Sequence, residues 1–186
     1  DVNQMAEGHS YYNLSGLSVS PDNTKISFGV DTVSRRKYTI YIKDLLTGTI
    51  LDETIPLTTG GSTWANDNST LFYTQKDEQT LRSNKIFRHR LGTSSLSDQL
   101  IFTEEDETFG TFVFKTKSKK FLVIGSYSTL TSEYRILNAD TPFEDFKIFQ
   151  PRVRGLEYSI SHYDDSFYVL TNMDGASNFK LMKTSD

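Results

Sequence analysis

Apolar and polar residues alternate along short segments of this chain, and a turn separates one such segment from the next. The segment LSVSPDNTKISF, residues 17–28, alternates on both sides of Ser20, Pro21, Asp22 and Asn23. Alternation places every second side chain on the same face of a strand, and Pro, Asp and Asn favour tight turns. The segment therefore predicts an antiparallel β-hairpin.

The same hairpin pattern occurs four times, and a further strand-like segment follows each copy. The copies begin at Ser18, Thr63, Val113 and Ser159. The segments that follow them are residues 38–45, 84–91, 132–139 and 178–185. A repeat of about 45–50 residues with three or four strands is typical of a β-propeller blade, whereas helical repeats of this length would show a 3.6-residue periodicity. No long segment of the chain has that periodicity.

The repeat predicts an all-β fold, a β-propeller fragment of about four consecutive blades of antiparallel sheet. We expect one partial propeller domain over residues 1–186, with approximate blades at 11–55, 56–103, 104–151 and 152–186. Rings of seven blades are common, so four blades form an open arc. An open arc exposes one apolar sheet face at each end, and we therefore expect the chain to associate with itself.

Composition and charge exclude several classes of function. The 186 residues carry a net charge of −4, which provides no basic field for nucleic acid. No apolar run approaches the roughly 20 residues that span a bilayer, so no membrane contact is expected. The chain contains no cysteine, which excludes disulfides and cysteine ligands for metals. It does not begin with Met, and we expect it to be a segment of a longer protein.

The sequence contains few residues of the kinds that carry catalysis. There is no Gly-x-Ser-x-Gly nucleophile motif and no His-Glu-x-x-His zinc motif. The three histidines, His9, His89 and His162, fall in different repeat units, and a structural or surface role is expected for each. We predict no catalytic residue, no metal and no cofactor in this chain.

Two short motifs resemble ligand-binding loops without completing them. Residues 66–68, Asn-Asp-Asn, resemble the start of a calcium loop but lack its glycine and its later glutamate. They are interpreted as the turn of the second hairpin. Gly60-Gly61 lacks the lysine and the spacing of a phosphate loop, and is interpreted as a turn at the entry to a strand.

Three charged clusters remain. EEDE at residues 104–107 is interpreted as a solvated connector, with attraction of basic peptides as the alternative if it faces a channel. Four lysines surround the third hairpin turn, where exposed lysines discourage pairing between sheet edges: Lys115, Lys117, Lys119 and Lys120. The cluster Arg35-Arg36-Lys37 precedes a strand and is suited to bidentate pairs with carboxylates of another domain.

Several motifs together resemble those of one known family, in order along the whole chain. They are DVNQMAEGH at 1–9, SRRKY at 34–38, WAND at 64–67, RHRLGT at 88–93 and EYSISHY at 157–163. The chain resembles the propeller of the oligopeptidase B (protease II) branch of the prolyl oligopeptidase family of serine peptidases.

The resemblance implies a seven-bladed propeller joined to a C-terminal α/β-hydrolase domain that holds a Ser-Asp-His triad. Such enzymes cleave short peptides after Arg or Lys, and the propeller covers the active site and admits only small substrates. Nothing in this chain matches the triad segment, so the chain alone is expected to be inactive. Its implied partners are the hydrolase domain of the same polypeptide and short basic peptides.

Closure of a propeller against a second domain calls for polar, reversible contacts. Glu7, Arg35 and Arg36 are therefore the candidate interdomain contacts. The expected location is cytoplasmic, with the periplasm left open. The alternative function, which the blade pattern fits equally, is an interaction scaffold that binds a protein or glycan and carries no peptidase.

Overall fold

The computed structural model describes all residues, 1–186, in two compact units, residues 1–103 and 104–186. Fourteen antiparallel strands make up most of the chain, and the one α-helix, α1 (Val2–Met5), is a single turn that the pattern did not predict. The strands of the first unit are β1 (Asn13–Val19), β2 (Lys25–Asp31), β3 (Tyr38–Asp44), β4 (Ile50–Trp64), β5 (Thr70–Lys76), β6 (Ser83–Arg90) and β7 (Gln99–Thr103). Those of the second unit are β8 (Gly110–Lys115), β9 (Phe121–Tyr127), β10 (Ser132–Asn138), β11 (Lys147–Gln150), β12 (Tyr158–Tyr163), β13 (Ser166–Thr171) and β14 (Lys180–Ser185). Short 3-10 helices lie at Ser95–Ser97 and Met173–Gly175.

The seven strands of the first unit pair in chain order, and β4 belongs to two blades. Its first part pairs with β3, as at Thr54 opposite Tyr41, and its last part pairs with β5, as at Thr63 opposite Phe72. The outer strand of the first blade thus continues directly into the inner strand of the second. The predicted turn at Gly60-Gly61 is wrong, because both glycines lie inside β4.

Strands β1, β2 and β4 approach one another so closely that glycine is required at positions 16, 29 and 60. A Cβ at Gly29 of β2 would lie 2.4 Å from the Gly60 Cα, and one at Gly16 of β1 would lie 2.3 Å from the Gly60 carbonyl oxygen. Gly60 itself has φ +95°, a conformation that L side chains rarely adopt. Glycine is therefore needed here for backbone packing between blades and not for a turn.

Two clusters of buried hydrophobic side chains contribute to the core of the first unit. One contains Ile40, Ile55 and Tyr73, and the other contains Ile42, Trp64 and Leu71. The second cluster is tied to the inner strand of the first blade, since the Trp64 Nε1 donates to the Ser18 carbonyl oxygen at 3.0 Å.

The second unit contains a four-stranded sheet, in the order β11-β10-β9-β8, and a three-stranded sheet, β12-β13-β14. Their facing surfaces form one core around Val123, Tyr158, Ile160 and Phe167. The Tyr158 hydroxyl donates to the Gln150 carbonyl at 2.9 Å, so its polar end is satisfied within the core. The opposite face of the three-stranded sheet exposes apolar side chains, including Tyr163, Leu170 and Leu181. Self-association through such a face stays a prediction.

The all-β fold of a partial propeller with no closed sheet is confirmed. The hairpin turns use the predicted chemistry: the Asp67 carboxylate accepts from the backbone N–H groups of Ser69 and Thr70, so residues 66–68 form a turn. The four strands predicted after the hairpins are present as β3, β6, β10 and β14. None of the helices has the length and apolar character required to cross a membrane.

Candidate functional site

The β2–β3 loop, residues 32–37, carries the two predicted arginines on a backbone that a single carboxylate fixes. Asp31 is buried at the end of β2. Its Oδ1 accepts from the Val33 N–H at 2.9 Å, and its Oδ2 accepts from the N–H groups of Arg35 at 3.0 Å and Arg36 at 2.7 Å. Charge-assisted hydrogen bonds of this kind are stronger than neutral ones, so the loop is held in one shape.

The same loop contains two residues in the left-handed region, Ser34 at φ 59° and Arg36 at φ 55°. The Lys76 ammonium at the end of β5 donates to the Arg36 carbonyl at 2.5 Å. Burial and the nearby Arg36 charge lower the pKa of Lys76, and the Asp31 carboxylate opposes that shift. Asp31 at the end of β2 and Lys76 at the end of β5 thus both hold the backbone of this loop.

The side chains of Arg35 and Arg36 are exposed on this fixed backbone. A guanidinium presents a planar set of donors that matches a carboxylate, and a fixed backbone reduces the entropy lost on pairing. The loop is therefore chemically suited to bind carboxylates of another surface.

Glu7, the third predicted contact, is also exposed and lies just after α1. The structure forms no ion pair between Glu7 and either arginine. The three residues are thus exposed surface groups, and their interdomain role stays a prediction.

The EEDE segment, residues 104–107, was predicted to be solvated, but its first residue, Glu104, is buried. Glu104 is only 3% exposed, and Arg152 binds it through both guanidinium ends, with Nη1 to Oε1 at 3.2 Å and Nη2 to Oε2 at 2.7 Å. The Arg152 guanidinium also stacks over the Phe109 ring at 3.7 Å. Only Glu105, Asp106 and Glu107 of the segment are exposed. The prediction of a solvated connector is wrong for Glu104.

A second carboxylate completes this cluster. The Glu133 Oε2 accepts from the Arg152 backbone N–H at 2.9 Å, and its Oε1 lies 2.7 Å from the Arg135 Nη1. Burial raises the pKa of Glu104, but the hydrogen bonds from Arg152 and the Asp106 N–H and the Arg152 charge outweigh burial and lower it. Because Arg152 already neutralises the Glu104 carboxylate, Glu104 fixes the segment between β11 and β12 and is not available to bind a basic peptide.

The three histidines have different environments. His9 is exposed and lies against the Tyr12 ring at 5.5 Å. His162 is buried between the rings of Phe121 and Phe167, and its Nδ1 lies 2.9 Å from the Ser118 Oγ. His89 is fully buried beside two carboxylates. No group of three or more His, Cys, Asp or Glu side chains is arranged to hold a metal ion.

Sequence reasoning missed the partners of both Glu104 and His89. Arg152 lies 48 positions after Glu104, and Glu53 lies 36 positions before His89. A single sequence carries no local signal for such distant pairs. The hydrogen bonds of Asp31 are local, since they reach backbone N–H groups no more than five residues further along the chain. An Asp at the start of a loop commonly binds the backbone of that loop, so the sequence could have indicated this interaction.

Comparison with known proteins gives a consistent picture over the whole chain. Residues 1–185 match the family profile of the prolyl oligopeptidase N-terminal β-propeller domain. The chain is similar to dipeptidyl aminopeptidase BI of Pseudoxanthomonas mexicana, with 39% identity over 182 residues, 98% of this chain and 25% of that protein. It is similar to protease 2 of Moraxella lacunata, with 35% identity over 98% of this chain and 26% of that protein.

Among solved structures, the chain is similar to oligopeptidase B from Leishmania major, with a TM-score of 0.94 and 31% identity. That match covers 100% of this chain and 26% of the Leishmania chain. The chain thus spans about a quarter of the length of the relatives it matches.

Proposed function

This chain belongs to the family of N-terminal β-propeller domains of prolyl oligopeptidases, and from that membership we propose that it forms the propeller part of a serine oligopeptidase. In this proposal it limits access to a catalytic α/β-hydrolase domain elsewhere in the same polypeptide. The observation that carries the proposal is the family match over residues 1–185, together with 39% identity to a peptidase over nearly the whole chain.

The architecture supports a role in size selection. Excluding large substrates requires a rigid wall, and the buried aromatic and aliphatic contacts between sheets supply close packing. We propose that the wall admits short peptides, that the whole enzyme cleaves them after Arg or Lys, and that it acts in the cytoplasm. The similarity to an oligopeptidase B at a TM-score of 0.94 favours this specificity.

A series of substrates of increasing bulk tests the gating role. One Arg-containing sequence is presented to the full-length protein as a peptide of about ten residues, as a longer peptide, and as a loop of a folded domain. We expect cleavage of the short peptide and no cleavage of the folded form. Equal cleavage of all three forms would show that the propeller does not select by size.

A second candidate activity comes from the name of one relative. A dipeptidyl aminopeptidase, as the Pseudoxanthomonas protein is named, releases dipeptides from the N-terminus of a peptide. Mass spectrometry of the products separates the two candidates, using a peptide with a free N-terminus and its acetylated counterpart. Cleavage of both at an internal Arg supports the endopeptidase, whereas dipeptide release from the free peptide alone supports the dipeptidyl aminopeptidase.

We further propose that Arg35 and Arg36 bind carboxylates of the catalytic domain when the two domains close. In the full-length protein, Arg35→Ala and Arg36→Ala should shift the open and closed populations seen by small-angle scattering and change kcat/KM. Lys117→Ala, which removes an exposed cation from the third hairpin turn, is the matched control. Unchanged scattering and kinetics in both arginine variants would remove these residues from the interface.

A further inference from the structure

His89 lies at the centre of a buried charged cluster that the proposed function does not use. Its side chain is fully buried near the end of β6. Its Nδ1 lies 2.7 Å from the Asp98 Oδ1, and its Nε2 lies 3.1 Å from the Glu53 Oε2. Both distances are those of direct hydrogen bonds, and they leave no space for an ion between the groups.

The two carboxylates are themselves arranged as hydrogen-bond acceptors. The Tyr73 hydroxyl donates to the Asp98 Oδ2 at 2.9 Å, and the Gly92 N–H donates to the Glu53 Oε2 at 2.8 Å. A neutral imidazole has one N–H, so it can donate to only one of the two carboxylates. The protonated ring donates to both, and its charge compensates the buried Asp98 carboxylate and the partly buried Glu53 carboxylate.

The cluster connects parts of the first unit that are distant in sequence. Glu53 lies on the part of β4 that pairs with β3, in the first blade, while His89 belongs to the second. Asp98 lies at the end of the β6–β7 loop, residues 91–98. Gly92, at the start of that loop, donates to Glu53, so the loop is fastened at both ends. Between these ends the loop is mostly exposed, with Leu96 97% exposed.

We propose that protonated His89 is a pH-dependent lock, which holds the β6–β7 loop against strand β4 and releases it when the imidazolium loses its proton. The lock joins the outer strand of the first blade to β6 and the β6–β7 loop of the second. Its release loosens the loop and the contact at Glu53, while the hydrophobic cores beneath remain in place.

The electrostatic environment determines the direction of the switch. Burial lowers the pKa of His89, but hydrogen bonds and charges from Asp98 and then Glu53 outweigh burial and raise the pKa above its ordinary value of 6.5. The charged and titratable groups that face the ring are Glu53 from β4 and Asp98 from the loop, with Tyr73 from β5 bound to Asp98. Burial and then Asp98 raise the pKa of Tyr73, so this hydroxyl stays neutral throughout the transition.

The direction in which the lock changes with pH follows from the thermodynamic linkage between protonation of His89 and closure of the lock. Because the pKa of His89 is higher in the locked state than in the open state, the lock is at full strength below pH 6.5 and is lost as pH rises through the higher value. Between the two pKa values the ratio of locked to open states falls about tenfold per pH unit.

Hydrogen–deuterium exchange of the full-length protein, measured from pH 6 to pH 10 and corrected for intrinsic exchange rates, tests the proposal. Protection of the backbone amides of residues 91–98 should fall about tenfold per pH unit once the transition begins. The hairpin at residues 115–121 lies in the other unit and serves as the internal control for general loosening. Protection of residues 91–98 that does not change with pH would overturn the proposal.

Three variants separate the lock from a purely structural role. His89→Gln should leave residues 91–98 weakly protected at every pH, and His9→Gln, at an exposed position, should behave as the unmodified protein. Glu53→Gln keeps an acceptor for the Gly92 N–H but removes one anion, so it should move the transition to lower pH. This variant also tests the lock if His89→Gln fails to fold. A transition that is the same in Glu53→Gln, or that persists in His89→Gln, would refute the lock.

Discussion

Replacing Gly29 by alanine should destabilise the first unit by about 3 kcal/mol. The added Cβ would lie 2.4 Å from the Gly60 Cα and 2.5 Å from the Gly60 carbonyl oxygen, whereas carbon atoms in contact normally lie about 3.5–4.0 Å apart. Strands β2 and β4 would have to separate by about 1 Å. Overpacking typically costs about 1–3 kcal/mol, and the upper end applies here because the obstructing atoms are backbone and cannot rotate away.

Urea unfolding followed by tryptophan fluorescence measures this cost. Trp64 is the only tryptophan of the chain, and it is buried with its Nε1 bonded to Ser18 of β1, so it reports on the affected contact. Gly61→Ala is the matched control, because a Cβ at that position would have no atom within 4 Å. A free energy of unfolding within about 0.5 kcal/mol of the unmodified chain for Gly29→Ala would refute the reasoning. An equal loss in Gly61→Ala would refute it as well.

Two further substitutions test the second unit. Phe167→Ala should lower the free energy of unfolding by about 3–5 kcal/mol in urea titrations followed by circular dichroism, since the side chain is 1% exposed. Leu130→Ala, in the same unit and 62% exposed, should change it by less than about 0.5 kcal/mol. Glu104→Gln should lower the free energy of unfolding by about 2–3 kcal/mol at pH 7. This is less than the loss for a fully buried ion pair, because the Arg152 side chain is 26% exposed. The control Glu105→Gln, at an exposed position, should leave the free energy of unfolding unchanged. Because the pKa of Glu104 is lowered in the folded state, its contribution is present above its ordinary value of 4.5 and is lost as pH falls through the lowered value, so Glu104→Gln should also weaken the loss of stability in acid. If the free energy of unfolding falls equally steeply in acid for Glu104→Gln and for the unmodified chain, this assignment is contradicted.

The local part of the fold was predictable from the sequence. Period-2 alternation and turn residues such as Asp22 and Asp67 act within a few positions, and the structure forms hairpins at these places. Repetition of the pattern then identified the propeller class. These signals depend on strand geometry and turn chemistry, which a single segment of sequence contains.

The parts that sequence reasoning missed depend on tertiary contacts. Gly60-Gly61 has the composition of a turn, yet the fold uses it for close packing against Gly16 and Gly29. Glu104 is indistinguishable from its exposed neighbours in the acidic segment until Arg152, 48 positions later, is brought beside it. Burial of a charge is determined by its partner, and no partner is visible from local composition.

The central claim is that this chain is the propeller of a serine oligopeptidase, and one activity measurement tests it most directly. The full-length protein and the 186-residue chain alone are each assayed on a short fluorogenic arginyl peptide, and each is treated with a fluorophosphonate that labels activated serines. The account predicts hydrolysis and labelling of the full-length protein, with neither for the chain alone. A full-length protein that neither hydrolyses the peptide nor takes up the label would contradict the account and favour the interaction scaffold.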